Sequence, residues 1–297
     1  MSGPIDTILI PTDDSDGALT GAYAGIALAS QTNADIHIVS VIDIPTGARE
    51  YEKQAISALE GEALEATQRV EGIVRAYDAT LSVESTVMTG TPFQSIREYA
   101  HRREIDTIVM GTKGRSGLDR ALLGSVTENV LRTARMPVLA VPPACGIESV
   151  DDQSFDNFLL PSDGSDGAEI AVAWCIALAH RLEAMIHAIY SVDTSRFSGR
   201  REPSEIIGVL EDRGEQAIEH VRQRARDCGV SVTGSLATGQ PAPVILESAT
   251  QKHVDLIVMG THGRTGIGQW FLGSVTENVV RGSNTPVFCV PVSARDP

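Results

Sequence analysis

The sequence predicts an α/β fold built twice in tandem, two parallel-sheet domains in one chain of 297 residues. Three observations predict it: a long internal repeat, short apolar β-branched runs alternating with amphipathic stretches inside each copy, and a length that suits two domains of about 150 residues. Self-similarity settles the organisation first. Thr7-Ile-Leu-Ile-Pro-Thr-Asp13 returns as Asn157-Phe-Leu-Leu-Pro-Ser-Asp163, an offset of 150. DTIVMGTKGRSG from Asp106 to Gly117 returns as DLIVMGTHGRTG from Asp255 to Gly266, with nine of twelve positions identical and an offset of 149. GSVTENV recurs unchanged at Gly124 and Gly273. The single-residue difference falls between His37/His187 and Gly90/Gly239, the stretch that holds the least similar helix.

Taken in order, the first copy reads as strands at Thr7 to Pro11, Asp35 to Ile42, Leu81 to Met88, Thr107 to Met110 and Pro137 to Val141, with helices in the gaps. In the long second helix, Ile56, Leu59, Ala63, Val70, Ile73 and Tyr77 recur at helical spacing and predict one buried face. Pro142 to Asp156, with two prolines and a glycine, has little periodicity and reads as a linker. The expected domains are residues 1–143 and 152–297.

Composition excludes several function classes. At 42% hydrophobic and 21% charged residues the chain resembles an ordinary soluble protein, and no apolar run approaches the roughly 18 residues that a membrane span needs. The N-terminus shows no basic, then apolar, secretory pattern, so a cytoplasmic protein is expected. Cys145, Cys175, Cys228 and Cys289 form no CxxC pair, which argues against a zinc site or a disulfide framework. A net charge of −15 disfavours nucleic acid as a partner. Only Lys53, Lys113 and Lys252 are lysines, a bias that fits a salt-rich cytoplasm or simply an arginine-rich acidic protein.

In a doubly wound sheet the ligand crevice lies beyond the C-terminal strand ends, where strand order reverses. Pro11-Thr12-Asp13 ends the first strand there. Met110-Gly111 ends the fourth and opens a loop to Gly124, followed by a helix at Ser125. Glycines 111, 114, 117 and 124 let backbone N–H groups approach an anion, and the helix N-terminus faces the same place: a phosphate cradle. Turns and capping offer the competing account, since Ser125 with Glu128 and Ser274 with Glu277 match the Ser-x-x-Glu capping box. Asp13 and Asp163 read either as Asx-turn residues or as ligand contacts near ribose and base, or on magnesium through water. Lys113, Arg115, His262 and Arg264 are the loop cations that could meet phosphate. Walker, nucleophile-elbow, GxGxxG and zinc-histidine motifs are absent, and no residue is singled out as catalytic or as a metal ligand.

Gly-x-x-Gly, nine residues, then Gly-Ser describes both Gly111/Gly114/Gly124-Ser125 and Gly260/Gly263/Gly273-Ser274. With the Pro-x-Asp after the first strand and a Pro-Val closing strand in each copy, the chain resembles the universal stress protein family in its ATP-binding branch, over nearly its whole length, twice. The resemblance implies five-stranded parallel sheets of order 3-2-1-4-5 and one ATP site per domain, with magnesium as a further cofactor. It places Pro11, Thr12 and Asp13 on the ribose and base side, the Val41 backbone at adenine, and Met110, Gly111, Gly114, Arg115, Gly124, Ser125, Val126 and Thr127 around ribose and phosphates. In copy two the same places fall to Pro161, Ser162, Asp163, Ser191, Met259, Gly260, Gly263, Arg264, Gly273, Ser274, Val275 and Thr276, with Ser191 departing from the usual apolar residue. It also implies that the last strands, Pro137 to Val141 and Pro286 to Val290, meet as an intramolecular pseudo-dimer, with a homodimer as a further assembly. The expected function is an ATP-binding stress or signalling module acting through a protein partner. A slow ATPase or phosphotransferase and a nucleotide-free scaffold are the alternatives.

Overall fold

Ile8, Leu9 and Ile10 are fully buried in a strand with no polar face, as expected of a parallel strand covered by helices on both sides. That strand is β1 (Thr7–Pro11) of the structure, a computed structural model that describes residues 3–43, 53–114, 123–194, 204–263 and 272–297. In the first unit, residues 1–154, β1 is followed by β2 (Asp35–Ile42), β3 (Val83–Thr89), β4 (Thr107–Gly111) and β5 (Val138–Val141). They pair in parallel in the order β3-β2-β1-β4-β5. The second unit, residues 155–297, repeats this with β6 (Asn157–Pro161), β7 (Met185–Val192), β8 (Val232–Thr238), β9 (Leu256–Gly260) and β10 (Val287–Val290), ordered β8-β7-β6-β9-β10. In each unit the connections diverge from the first and fourth strands, which creates the crevice.

The helices are α1 (Asp16–Thr32), α2 (Lys53–Tyr77), α3 (Pro92–Arg102) and α4 (Ser125–Thr133), then α5 (Asp166–Leu182), α6 (Ser204–Asp227), α7 (Pro241–Gln251) and α8 (Ser274–Gly282). The buried row of α2 is narrower than its apolar spacing predicts. Ala63, Ala66, Thr67, Val70 and Val74 are covered, whereas Leu59 and Tyr77 are 37% and 42% exposed. The reason is length: 25 residues of helix span about 37 Å, against about 26 Å for the eight-residue β2 it lies on, so both helix ends overhang the sheet. Strand bounds also move: β3 begins two residues later than expected, β4 extends through Gly111, and Pro137 precedes β5.

The expected linker has more structure than its composition suggests. It forms 3-10 turns at Pro143–Cys145 and Val150–Asp152, and both pack on α1, with Ile147 and Val150 buried. The residue of α1 at position 24 is a buried alanine. At the matching position of α5 stands Trp174, fully buried against Phe288, its indole N–H donating to the Arg295 carbonyl at 2.9 Å. All four cysteines are free, and burial pushes the Cys289 thiol up to about 12 and that of Cys175 further in the same direction. Among the described residues no helix is long and apolar enough to cross a membrane.

Candidate functional site

Where β1 ends, β2 continues, and this offset exposes backbone. Thr12 N donates to Val39 O at 2.8 Å, so the Val39 peptide groups face β1. Two residues on, Val41 N–H and C=O face the same side, past the last residue of β1. Ser162 N to Ile189 O, 3.0 Å, fixes Ser191 in the same way. The Ser191 hydroxyl donates to Gly239 O at 2.7 Å, which explains how a polar side chain is accommodated there. Each unit therefore presents one donor and one acceptor at its crevice.

The turn after β1 uses one oxygen of Asp13 structurally. Asp13 Oδ1 accepts from Ser15 N (3.1 Å) and Ser15 Oγ (2.5 Å), and Ser15 Oγ caps α1 by accepting from Ala18 N. Asp163 and Ser165 repeat the arrangement at 3.0 and 2.6 Å. The other oxygen, Oδ2, stands 3.0 Å from where a Cβ on Gly114 would sit, and Asp163 Oδ2 is placed identically at Gly263. The two sequence-based accounts of the aspartates are thus compatible: an Asx turn aims the second oxygen across the crevice at the glycine loop.

The glycines do different jobs. A Cβ on Gly111 would lie 2.0 Å from Gly17 O of α1, and one on Gly260 would lie 2.5 Å from Gly167 O of α5. Close helix-to-strand approach is by itself a reason for glycine at these two positions. Gly124 N donates to Thr112 O and Gly273 N to Thr261 O, both at 2.8 Å, closing the base of each loop. Among the described residues, a Cβ on Gly114 or Gly263 would meet only the carboxyl group of Asp13 or Asp163.

The capping-box expectation is also corrected. Gly124 and Gly273 are the N-caps, neither helix has a side-chain cap bond, and Ser125 and Ser274 are the first helical residues, exposed. Glu128 and Glu277 instead pair with Arg132 and Arg281 at 2.7 and 2.8 Å. The first intrahelical bonds are Glu128 N to Gly124 O and Glu277 N to Gly273 O, so the amides of Ser125, Val126 and Thr127, and of Ser274, Val275 and Thr276, precede them. Thr127 and Thr276 donate their hydroxyls to Gly111 O and Gly260 O at 2.8 Å and anchor these helix starts.

In the second unit these parts enclose a cavity of about 370 Å³. It brings together Pro161, Ser162, Asp163, Ser191, Met259, Gly260, Gly263, Gly273, Ser274, Val275 and Thr276; Arg264, like Arg115, lies outside the described residues. Its lining combines apolar side chains, Ile189, Leu210, Val244 and Ile245, with Gly263 and the first residues of α8. Sequence reasoning missed that apolar wall. The only local signal for Val244 and Ile245 was their place in the first turn of α7, after Pro241. His262 also lines the cavity, its Nδ1 2.9 Å from Thr261 Oγ1. The repeated Asp106 and Asp255 do not belong to the site: they accept N–H bonds from Asp6 and Thr7, and from Asp156 and Asn157, at the opposite strand ends.

The pattern that defines the universal stress protein family matches residues 4–142 and again residues 154–291. The chain belongs to the universal stress protein family. One family member, from Methanocaldococcus jannaschii, is 38% identical over 141 residues, covering 46% of this chain and 82% of its own. Another, from Mycolicibacterium smegmatis, is 26% identical over 299 residues, covering 95% of this chain and 96% of its own, and so matches both halves. The crystal structure of an Archaeoglobus fulgidus universal stress protein superposes with a TM-score of 0.73 over 97% of this chain and 98% of that one; at 22% identity the likeness is one of fold. In this universal stress protein, Gly114 and Gly263 face the aspartates of the turns after the first strand in both copies.

Proposed function

We propose that each domain binds an adenine nucleotide, ATP in the first instance, and that occupancy alters binding to a protein partner. The observation that carries this is the cavity of the second domain, whose lining holds both apolar side chains and the start of α8. Its apolar wall suits a flat base, the Ser191 peptide offers that base's edge a donor and an acceptor, and the α8 amides with Gly263 suit an anionic tail. A volume of about 370 Å³ lies in the usual range for small-ligand sites. Asp13 and Asp163 would meet the ribose or a magnesium ion carried by the phosphates; a single carboxylate is too few ligands for a protein-built cage. Hydrolysis would be far slower than the roughly 1–100 per second of kinases, because the sequence carries no Walker motif to supply a phosphate-binding lysine.

Mass spectrometry of the ligand retained after native purification, together with calorimetry of ATP binding, tests the proposal. Gly114→Val with Gly263→Val should abolish binding in a folded protein, since each new side chain would fill the gap beneath the aspartate oxygen. Unchanged ATP affinity in that variant would overturn the reading.

A further inference from the structure

β8 is the outermost strand of the second domain: it pairs with β7 and, among the described residues, with no strand beyond it. The bonds at its two ends show which backbone groups that leaves outward. Ile186 N donates to Ser231 O at 2.9 Å and Gly239 N to Val192 O at 3.0 Å. The odd-numbered residues from 231 to 239 therefore turn their peptide groups toward β7, and Val232, Gly234, Leu236 and Thr238 turn theirs away. Natural sheets usually blunt such an edge with a lysine, a proline or a bulge. β8, Val-Thr-Gly-Ser-Leu-Ala-Thr, has neither charge nor proline, and its register with β7 is unbroken from Val232 to Thr238. Beside this edge a groove of about 620 Å³ runs between β8 and α6, and it is acidic. Asp212, Glu215 and Glu219 of α6 line it together with Arg222, whose Nη1 is 3.4 Å from Glu219 and whose Nη2 is 3.4 Å from Gly234 O. Gly234 lets the helix come this close, since a Cβ there would stand 2.1 Å from Ile218 Cγ2.

We propose that the β8 edge takes up a basic, extended peptide segment of a partner protein as an added strand, its lysine or arginine side chains resting on Asp212, Glu215 and Glu219. Strand addition draws affinity from main-chain hydrogen bonds and specificity from alternate side chains. From Asp212 to Glu219 is about 10 Å of helix, and side chains at alternate positions of a strand stand about 7 Å apart, so two basic residues fit. A second copy of this chain, pairing β8 with β8, would set an identical acidic groove against this one, with a net charge of −15 on each chain. Charge therefore favours a basic partner over self-association. The inference stands without the nucleotide reading above.

The test uses the full-length ¹⁵N-labelled chain and a synthetic heptapeptide of alternating valine and lysine, with the valine–glutamate heptapeptide as control. Binding of the lysine peptide should slow hydrogen exchange at the Gly234 and Leu236 amides, which face outward, and leave those of Thr233, Ser235 and Ala237, which face β7, as they were. Asp212→Lys with Glu215→Lys, both exposed, should weaken the lysine peptide about tenfold, the scale of two exposed ion pairs lost. Arg222→Gln should tighten it, by removing the guanidinium from the groove and from Gly234 O. The glutamate peptide should not bind. No binding of the lysine peptide, binding with unchanged exchange at Gly234 and Leu236, or equal affinity in the double lysine variant would overturn the inference. Protection of those two amides that needs no peptide and rises with protein concentration would assign the edge to a second copy and overturn it as well. Should the double variant fail to fold, the exchange pattern of the wild-type chain decides. None of these outcomes bears on ATP binding, which calorimetry reads separately.

Discussion

Gly111 and Gly114 stand three residues apart in one motif, yet they lack side chains for different reasons. At Gly111 the obstacle is the carbonyl of Gly17; at Gly114, among the described residues, only the Asp13 carboxyl group lies near. Gly111→Ala should therefore lower stability by about 1–3 kcal/mol, as overpacking does, whereas Gly114→Ala should leave the urea midpoint nearly unchanged and weaken ATP binding. Equal stability losses in the two would refute the distinction. A second residue-scale prediction concerns pH. Burial holds the His37 ring below the ordinary histidine range; Glu84 pulls the other way and Arg103 adds to the lowering, while the ring lies 3.0 Å from Tyr99 Oη. The unfolded chain then takes up its proton at a higher pH than the folded one, so the contribution to stability is complete above about pH 6.5 and is lost as pH falls below it. His187 is shifted in the same direction, by burial and Lys252. The urea midpoint should fall between about pH 7.5 and about pH 5.5, and less steeply in His37→Gln; an equally steep fall in that variant would remove His37 from the account.

Among the elements, strands were read more accurately than helix faces. β1 and β2 have their predicted bounds because a strand covered on both faces is written mostly in apolar residues, as in Ile8 to Ile10 and in Ile36, Ile38, Val39, Val41 and Ile42. The covered face of α2 depends on how far the sheet extends beneath it, which no periodicity within the helix encodes. The start of α4 shows the same limit. Ser-x-x-Glu matches a capping box, but with Gly124 as the cap the Ser125 hydroxyl makes no capping bond to the helix. Ser125→Ala should thus cost well under the roughly 1 kcal/mol of a lost N-cap while reducing ATP affinity in the first domain. A full capping loss on thermal unfolding, with affinity intact, would reinstate the helix-start account of that serine.

For the molecule as a whole, 39 acidic against 24 basic residues leave a net charge of −15, and the chain is expected to repel itself. Raising KCl from about 0.1 M to about 1 M, which shortens the screening length from about 10 Å to about 3 Å, should raise the melting temperature. A lower one would mean that local pairs such as Arg69–Asp14, at 2.9 Å, outweigh the overall repulsion. Duplication has also left the halves unlike: Ala24 and Trp174, Val41 and Ser191, and Lys113 and His262 occupy matching positions in different surroundings. The amino-acid sequence alone determined the tandem repeat, the α/β class and the position of the glycine loop at the strand ends, because a repeat offset, an apolar run and a motif spacing are all distances along the chain. Tertiary structure decided which glycines lie against a helix, which oxygen of Asp163 faces Gly263, and that His262 lines a cavity together with apolar side chains. Most of those facts arise from groups far apart in sequence, Gly17 against Gly111 or Asp163 against Gly263, and they exist only once packing has brought the groups within a few ångströms of each other.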